Sequence, residues 1–311
     1  MSGFSMRRLG KTGLQVSPLG IGGGSGIQSQ DLLYAFERGI NYFFFSSDLH
    51  HCVYQRSVEA LRTLCGQGSA VRDKVVLATV SYVDSPDPHK VLATLMDQFA
   101  ELGVDYIDVF HWGWITDDCN FAPLVKRAFQ LKGDSAITRG IRHLQLMEMG
   151  DQAMEINEAL LKRGLVRCVG ASFHSRRVAR TWMRNLDVLM LRYNLAHRGV
   201  EQDIVPFLYG EKERDPGIVV FNAAHEGTRL FHISPRGYPS DWYVPSIPDC
   251  YRFALSNPWV DVVLTGMKDR VEIDHALAAL EKGPLGAEEY DAMFRYASYK
   301  EASHTSQPSL L

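Results

Sequence analysis

The sequence has 311 residues, of which 46% are hydrophobic and 22% charged, and its formal net charge is −3. This composition is typical of a globular domain with a large apolar core, and it excludes the strongly basic surface of nucleic-acid-binding proteins and a polybasic membrane patch. We therefore expect a small-molecule partner, with no nucleic acid and no membrane.

The cysteines and the first residues indicate the compartment. Five cysteines are scattered along the chain without a C-x-x-C pair, which favours reduced thiols over a disulfide framework or a zinc site. The opening MSGFSMRRLGKTG lacks the apolar stretch of a signal peptide, and no window approaches about 18 apolar residues. We therefore expect a cytoplasmic protein.

Strand-like segments recur through the whole chain. RRLGKTGLQVS, residues 7–17, predicts a small β-hairpin around a Gly-Lys-Thr-Gly turn. Eight apolar runs follow it, and they lack strict alternation, as expected for parallel strands that are covered on both faces. The eight runs are VSPLGIG (16–22), INYFFF (40–45), KVVLAT (74–79), DYIDVF (105–110), VRCVGA (166–171), DVLMLR (187–192), GIVVF (217–221) and VDVVLT (260–265).

Helical patterns separate several of these runs. QDLLYAFERG (30–39) and HKVLATLMDQFAELG (89–103) each carry an apolar stripe that ends at a glycine. GDQAMEINEALLKRG (150–164) and RVEIDHALAALEKG (270–283) repeat the pattern. Eight strand–helix units without a domain break predict a single-domain (β/α)₈ TIM barrel over residues 1–311, with a doubly wound sheet as the alternative.

Two connections are much longer than usual. Residues 113–147 form a long insertion, and residues 225–248 are rich in proline, glycine and aromatic side chains. Both follow strands at the C-terminal face, where barrel enzymes carry their active sites, and loops of this length are commonly functional. Residues 302–311 are expected to be a disordered tail.

Six segments, in order along the chain, resemble the aldo-keto reductases. They are MRRLGKTGLQVSPLGIG, ERGINYFF, RDKVVLAT, LGVDYIDVFHW, KRGLVRCVGAS and RYN. The resemblance implies a (β/α)₈ barrel that begins with a β-hairpin, with NADPH lying across the C-terminal mouth. It also implies hydride transfer to a carbonyl group, with a Tyr as acid, a Lys and an Asp that tune it, and a His that orients the substrate.

The catalytic tetrad implied by the resemblance is not in its usual places. The family's Asp position falls on Phe44, its Lys position on Val80 and its His position on Gly113. The Tyr position falls near Leu49, and the nearest phenol is Tyr54. A Lys⁺ near a phenol lowers the pKa of the phenol, and Val80 supplies no such charge. We therefore expect a rebuilt site rather than the family's usual catalysis.

The cofactor positions implied by the resemblance are partly retained. Ser172 matches a serine that contacts the nicotinamide carboxamide, whereas Met190 stands at the position of the stacking Gln. Lys268 and Arg270 suit a 2′-phosphate, and Glu272 opposes one. The predicted cofactor-binding residues are Ser172, Asn194, Asn222, Lys268 and Arg270.

A polar cluster after the second strand is the main candidate site. Asp48, His50 and His51 follow INYFFF, at the barrel end where side chains reach a pocket. A neutral His with a carboxylate partner is a workable general base near neutral pH. His111, after the fourth strand, is a further proton carrier. The candidate catalytic residues are Asp48, His50, His51, Tyr54 and His111, against the alternative of a solvated loop and a core histidine.

Other features have competing interpretations. His174, His197 and His225 raise a metal site, but the first strand ends in GIGGGSG rather than H-x-H, so no metal is predicted. The glycines of GIGGGSG are expected to let the backbone approach a ligand closely. The aromatic cluster, which is Phe231, Tyr238, Trp242 and Tyr243, either caps an apolar ligand or packs on itself.

Three functions remain open from the sequence. The first is an NADPH-dependent oxidoreductase with a non-standard proton relay that acts on a small specialised metabolite. The second is a cofactor-independent acid–base enzyme, such as a cyclase, lyase or isomerase, on the same barrel. The third is a non-catalytic binding protein that has kept the fold, because a fold by itself does not determine a function.

Overall fold

Eight parallel strands close into a barrel, each paired with the next in chain order and the last paired with the first. The structure is a computed structural model that describes residues 4–46, 51–81, 87–115, 150–210, 214–224 and 238–305. The barrel strands are β3 (Leu19–Gly22), β4 (Tyr42–Phe45), β5 (Val76–Ser81), β6 (Ile107–Ile115), β7 (Val166–Phe173), β8 (Val188–Arg192), β9 (Gly217–Phe221) and β10 (Val262–Thr265).

The strands are apolar on both faces because one face fills the barrel and the other contacts helices. Strand β4 is an example, since all four of its residues are buried. The Phe43 ring lies 6.5 Å from the Phe36 ring of the first long helix, whereas the next ring, Phe44, contacts His111 of β6 across the interior. This burial on both faces explains why the runs lack strict alternation of apolar and polar residues.

Helices surround the barrel. They are α1 (Ser29–Glu37), α2 (His51–Cys65), α3 (Ser69–Arg72), α4 (Pro88–Leu102), α5 (150–162), α6 (Arg176–Trp182), α7 (Val200–Asp203), α8 (Val205–Gly210), α9 (Ile247–Leu255), α10 (Arg270–Glu281) and α11 (Ala287–Thr305). Helix α4 has clear end signals: the Asp87 carboxylate accepts from two backbone N–H groups, Pro88 is the first helical residue, and Gly103 is left-handed after the last turn.

A small antiparallel hairpin, β1 (Arg7–Arg8) and β2 (Gln15–Val16), covers the N-terminal end of the barrel. Leu9 in its turn is fully buried, and a Cβ atom at Gly217, the first residue of β9, would lie 2.6 Å from Leu9 Cγ. The hairpin therefore closes the end of the barrel at which the strands begin, and the C-terminal end remains accessible.

The predicted barrel and its hairpin are confirmed, and each of the eight predicted runs contains a strand. Helix α2 is not among the predicted helical patterns. Helix α11 continues to Thr305, so the tail predicted from residue 302 begins as helix. Most of the 113–147 insertion and residues 225–237 lie outside the described residues. No helix in the described part of the chain is long and apolar enough to cross a membrane.

Candidate functional site

A cleft of about 840 Å³ lies at the C-terminal ends of the barrel strands. Residues from β3, β4, β7, β8, β9 and β10 line its inner end, together with the first turn of α2. The starts of α9 and α10 form its other walls. It extends from the barrel mouth to α10. The mouth at the C-terminal ends of the strands is where (β/α)₈ enzymes bind their ligands.

Helix α2 brings Tyr54 to the inner end of this cleft. Tyr54 lies in the first turn of α2 and is only 7% exposed. A Cβ atom at Gly24 would lie 3.2 to 3.3 Å from the Tyr54 ring and hydroxyl, and one at Gly23 would lie 2.5 Å from Ser57 Oγ. The Ser57 hydroxyl donates to the Gly23 carbonyl at 3.0 Å. The glycines after β3 therefore let α2 approach closely, which gives them a packing role within the fold.

The inner wall next to Tyr54 is apolar. The Phe44 ring packs edge-on against the Tyr54 ring at 6.2 Å and against the His111 ring at 6.1 Å. Val80 is fully buried and pairs with His111 in the register of β5 and β6. The two positions that carry the family's Asp and Lys in the resemblance therefore contribute side-chain packing and no charge.

His111 lies inside the barrel and not on the cleft surface. It is completely buried, and its Nδ1–H donates to the Thr79 carbonyl at 3.1 Å. Burial lowers the pKa of His111 to about 4, so the imidazole is neutral near pH 7. Its Nε2 has no hydrogen-bond partner among the described residues. The Phe44 ring, which lines the cleft, packs against the His111 ring.

The predicted cofactor residues separate into two groups. Ser172 and Asn222 line the cleft, and Asn222 has a left-handed backbone with φ of 54°. The side chain of Asn194, in contrast, is used within the fold: its amide donates to the Asn222 carbonyl at 2.8 Å and its oxygen accepts from the backbone N–H groups of Ala196 and His197. Asn194 therefore supports the segment that carries Asn222.

The outer end of the cleft carries charged side chains at the start of α10. Lys268 and Glu272 both line the cleft. Arg270 is directed elsewhere, since its Nε lies 3.5 Å from Asp31 Oδ1 and its guanidinium lies 4.9 Å above the Tyr34 ring of α1. The described part of the cleft lining does not include Arg270.

The remaining predicted site residues are placed as follows. Asp48, His50, His225 and Phe231 lie outside the described residues, and His51 begins α2. His174 lines the cleft, with its ring 5.2 Å from the Phe221 ring. His197 lies in the turn after β8, paired with Asn194. Within the described residues, no group of three His, Cys, Asp or Glu side chains could hold a metal ion.

The aromatic cluster after residue 237 packs on itself and on α11. The Tyr238 ring lies 5.5 Å from Trp242 and 5.3 Å from both Tyr296 and Tyr299. Its hydroxyl donates to the Tyr243 carbonyl at 2.7 Å. Of the two predicted roles, the described members of this cluster follow the self-packing one.

The start of α9 lines the cleft and is not predicted from the sequence. Ile247, Pro248 and Tyr251 line the cleft in place of the aromatic cluster. The Ser246 side chain and the Asp249 carboxylate form a reciprocal cap that begins this helix, with Pro248 in the first turn. The pattern S-x-P-D at residues 246–249 is typical of a helix start, and the predicted connection of residues 225–248 includes the first residues of this helix.

No family model matches the sequence, and no curated protein matches it. Solved structures do match. An aldo-keto reductase from Bacillus halodurans is 21% identical over 94% of this chain and 96% of its own, with a TM-score of 0.67 for its holo form and 0.65 for its apo form. A protein from Pseudomonas aeruginosa assigned to the same family is 18% identical over 89% of this chain and 95% of its own, with a TM-score of 0.61.

These matches extend over almost the whole of each chain, although the sequences have diverged widely. The eight-stranded barrel and the hairpin at its N-terminal end are the features that the resemblance in the sequence implies. The chain therefore has the fold of the aldo-keto reductases.

Proposed function

We propose that the protein is an oxidoreductase that acts on a carbonyl or alcohol group of a small, largely apolar substrate with a nicotinamide dinucleotide as cofactor. The observation that carries the proposal is the position of Tyr54. Helix α2 delivers this phenol to the barrel mouth, into the same cleft as Ser172 and Asn222. The substrate is expected to be a specialised metabolite of a cytoplasmic pathway.

The donors in the cleft fit a dinucleotide. Ser172 and Asn222 at the barrel mouth are suited to a carboxamide, and the Phe221 ring is suited to a flat heterocycle. Lys268 at the outer end provides a cation for a phosphate oxygen. When bound, the nicotinamide supplies or accepts the hydride, and the apolar side chains of Phe44 and Met190 keep water away from the reacting carbon.

Tyr54 is proposed to hold the substrate oxygen by a hydrogen bond and to deliver its proton. A phenol gives up a proton readily when a nearby group stabilises the phenolate or replaces the proton. Phe44 and Val80 carry no charge, so the proton is proposed to come from the predicted cluster Asp48, His50 and His51. His51 precedes Tyr54 by three positions in α2, which puts the two positions on the same side of the helix.

The test is to compare Tyr54→Phe with Tyr209→Phe, a matched control because Tyr209 is 55% exposed on α8. Each protein is assayed with NADH and NADPH against a panel of apolar aldehydes and ketones. We expect Tyr54→Phe to lower kcat by about 10²- to 10⁴-fold, with dinucleotide binding retained. Failure of both NADH and NADPH to bind at millimolar concentration would overturn the proposal.

The apolar inner wall favours a second candidate, a cofactor-independent acid–base enzyme on the same cleft. Phe44 and Val80 remove the charges by which the family tunes its Tyr, while Tyr54 and His174 still line the cleft. This candidate predicts no dinucleotide binding, together with a substrate-dependent activity that His51→Ala abolishes. A binding protein without activity would bind its ligand equally well in the wild-type protein and in Tyr54→Phe.

A further inference from the structure

The start of α10 already carries two carboxylates bonded to its own backbone. The Lys268 N–H donates to Glu272 Oε2 at 2.8 Å, and the Glu272 N–H donates to Asp269 Oδ1 at 2.9 Å. Backbone N–H groups at a helix start are the ordinary partners of a bound phosphate. Here the Asp269 carboxylate accepts from the Glu272 N–H in the first turn, and the Glu272 carboxylate accepts from the Lys268 N–H just before the helix. Two groups that could bind a phosphate oxygen therefore already have carboxylate partners.

The second cation predicted for this end is held away from the cleft. Arg270 pairs with the nearly buried Asp31 carboxylate of α1 and stacks over the Tyr34 ring. These two contacts satisfy both the charge and the flat face of the guanidinium. Moving Arg270 into the cleft would leave the Asp31 carboxylate without this cation, which disfavours the movement.

The charges that line the outer end therefore nearly balance. Within the described lining of the cleft, Lys268 and Glu272 are the residues with a full charge at neutral pH, one of each sign. A 2′-phosphate brings a charge of about −1.5 to −2 and requires an excess of cations around it. A ribose hydroxyl is neutral and donates a hydrogen bond to a carboxylate, which is how acidic side chains recognise a dinucleotide without the 2′-phosphate.

We propose that Glu272 makes this cleft select NADH over NADPH. The inference rests on the proposed function and names the form of its cofactor, in contrast to the NADPH that the resemblance implies. Glu272 accepts a hydrogen bond from the ribose hydroxyl and repels the 2′-phosphate. The charge of Lys268 by itself does not offset that repulsion. Glu272 is thus a specificity-determining residue.

The test measures dissociation constants and needs no substrate. NADH and NADPH are titrated separately into the wild-type protein, and energy transfer from tryptophan to the dihydronicotinamide reports binding. We expect the Kd for NADH to be about tenfold lower than that for NADPH at low ionic strength, since one like-charge contact near a protein surface has about that effect. The difference should shrink as salt is added.

Glu272→Gln removes the charge but keeps a carbonyl oxygen that can accept from the Lys268 N–H. In this variant the Kd for NADPH should fall by about tenfold, while the Kd for NADH stays within about threefold. Glu281→Gln is the matched control, because it removes the same charge from the exposed last residue of α10. The control should leave both constants unchanged.

Each outcome has one meaning. Wild-type protein that binds NADPH as tightly as NADH, or more tightly, overturns the inference and leaves the proposed function standing. An equal effect of Glu281→Gln also overturns it, because the selection would then come from the net charge. Failure of both dinucleotides to bind overturns the proposed function and the inference together. If Glu272→Gln does not fold, the ratio of the wild-type constants still decides.

Discussion

Phe44 and Val80 are buried apolar residues near the C-terminal ends of β4 and β5. The resemblance in the sequence predicts that these positions correspond to the Asp and the Lys of the aldo-keto reductases. Here both side chains are buried and apolar, and Phe44 packs against Tyr54 and His111. Removal of both charges together avoids leaving either one buried without a partner, which would cost several kcal/mol. The pair is therefore compatible with a stable barrel.

His111 should make the stability of the protein depend on pH. Its pKa is about 4 in the folded protein because burial disfavours the imidazolium, against an ordinary value of 6.5. Between these pH values the unfolded chain binds a proton that the folded protein does not. The contribution of His111 to the free energy of unfolding is therefore fully present above pH 6.5. It decreases as the pH falls, by about 3 kcal/mol at pH 4.

Asp261 opposes this trend, because burial raises its pKa to about 6 and its contribution to stability falls as the pH rises from 3.8. The pH dependence due to His111 is therefore measured by comparing variants that all retain Asp261. His111→Leu should flatten the rise of the free energy of unfolding from pH 4 to 6.5, measured by urea denaturation, whereas His89→Gln on the exposed face of α4 should not. An unchanged slope in His111→Leu would contradict the assignment.

Helix α2 brings a phenol to the barrel mouth. The resemblance implies a Tyr near Leu49, and that position holds no phenol. The structure begins α2 at His51 and brings Tyr54 to the cleft in its first turn. The sequence identified Tyr54 as a candidate by its residue type. Its place at the mouth follows from the close approach of α2 to the glycines after β3.

Asp108 joins three elements at the N-terminal end of the barrel. Its buried carboxylate accepts from Arg72 of α3 at 2.9 Å, from Arg167 of β7 at 2.9 Å and from the Leu77 N–H at 3.0 Å. Asp108→Asn should lower the free energy of unfolding by about 3 to 5 kcal/mol, because Arg72 would remain buried without a counter-charge.

The exposed pair of Arg176 and Asp203 provides the comparison for Asp108. Their side chains are 50% and 43% exposed, so Asp203→Asn should cost less than about 1 kcal/mol. Both variants are measured by urea denaturation at neutral pH. A similar cost for the two substitutions would mean that the Asp108 network does not depend on its burial.

Closure of the barrel by the hairpin is a property of the whole molecule. Gly10 has φ of +47°, and a Cβ atom there would lie 2.3 Å from the Gly217 nitrogen and 2.4 Å from the Asp215 carbonyl oxygen. Gly10→Ala should therefore cost about 3 kcal/mol or more, from backbone strain and overpacking together.

Gly13, in the same hairpin, allows backbone strain to be measured without overpacking. It has φ of +77° and no atom within 4 Å of a Cβ position, so Gly13→Ala should cost only about 1 kcal/mol from strain. Equal losses in the melting temperatures of the two variants would show that contact between the hairpin and β9 contributes little to closure.

The sequence by itself determined the barrel, the hairpin and the strand order. Eight apolar runs alternating with amphipathic helices are local patterns, and the right-handed βαβ connection leaves few ways to assemble them. Phe44 and Val80, near the ends of their strands, can be identified from the sequence alone, because this requires only residue identity. Ser172, Asn222, Tyr54 and Lys268 were named from the sequence, and all four line the cleft.

Tertiary structure decided which of the remaining candidates reach the cleft. Asn194 and Arg270 have the right chemistry, but nearby carbonyl, amide and carboxylate groups engage their side chains. His111 follows the inward alternation of β6 and is enclosed beside Phe44. The direction of a side chain depends on contacts between residues far apart in the chain, such as Arg270 with Asp31, and no local pattern encodes those contacts.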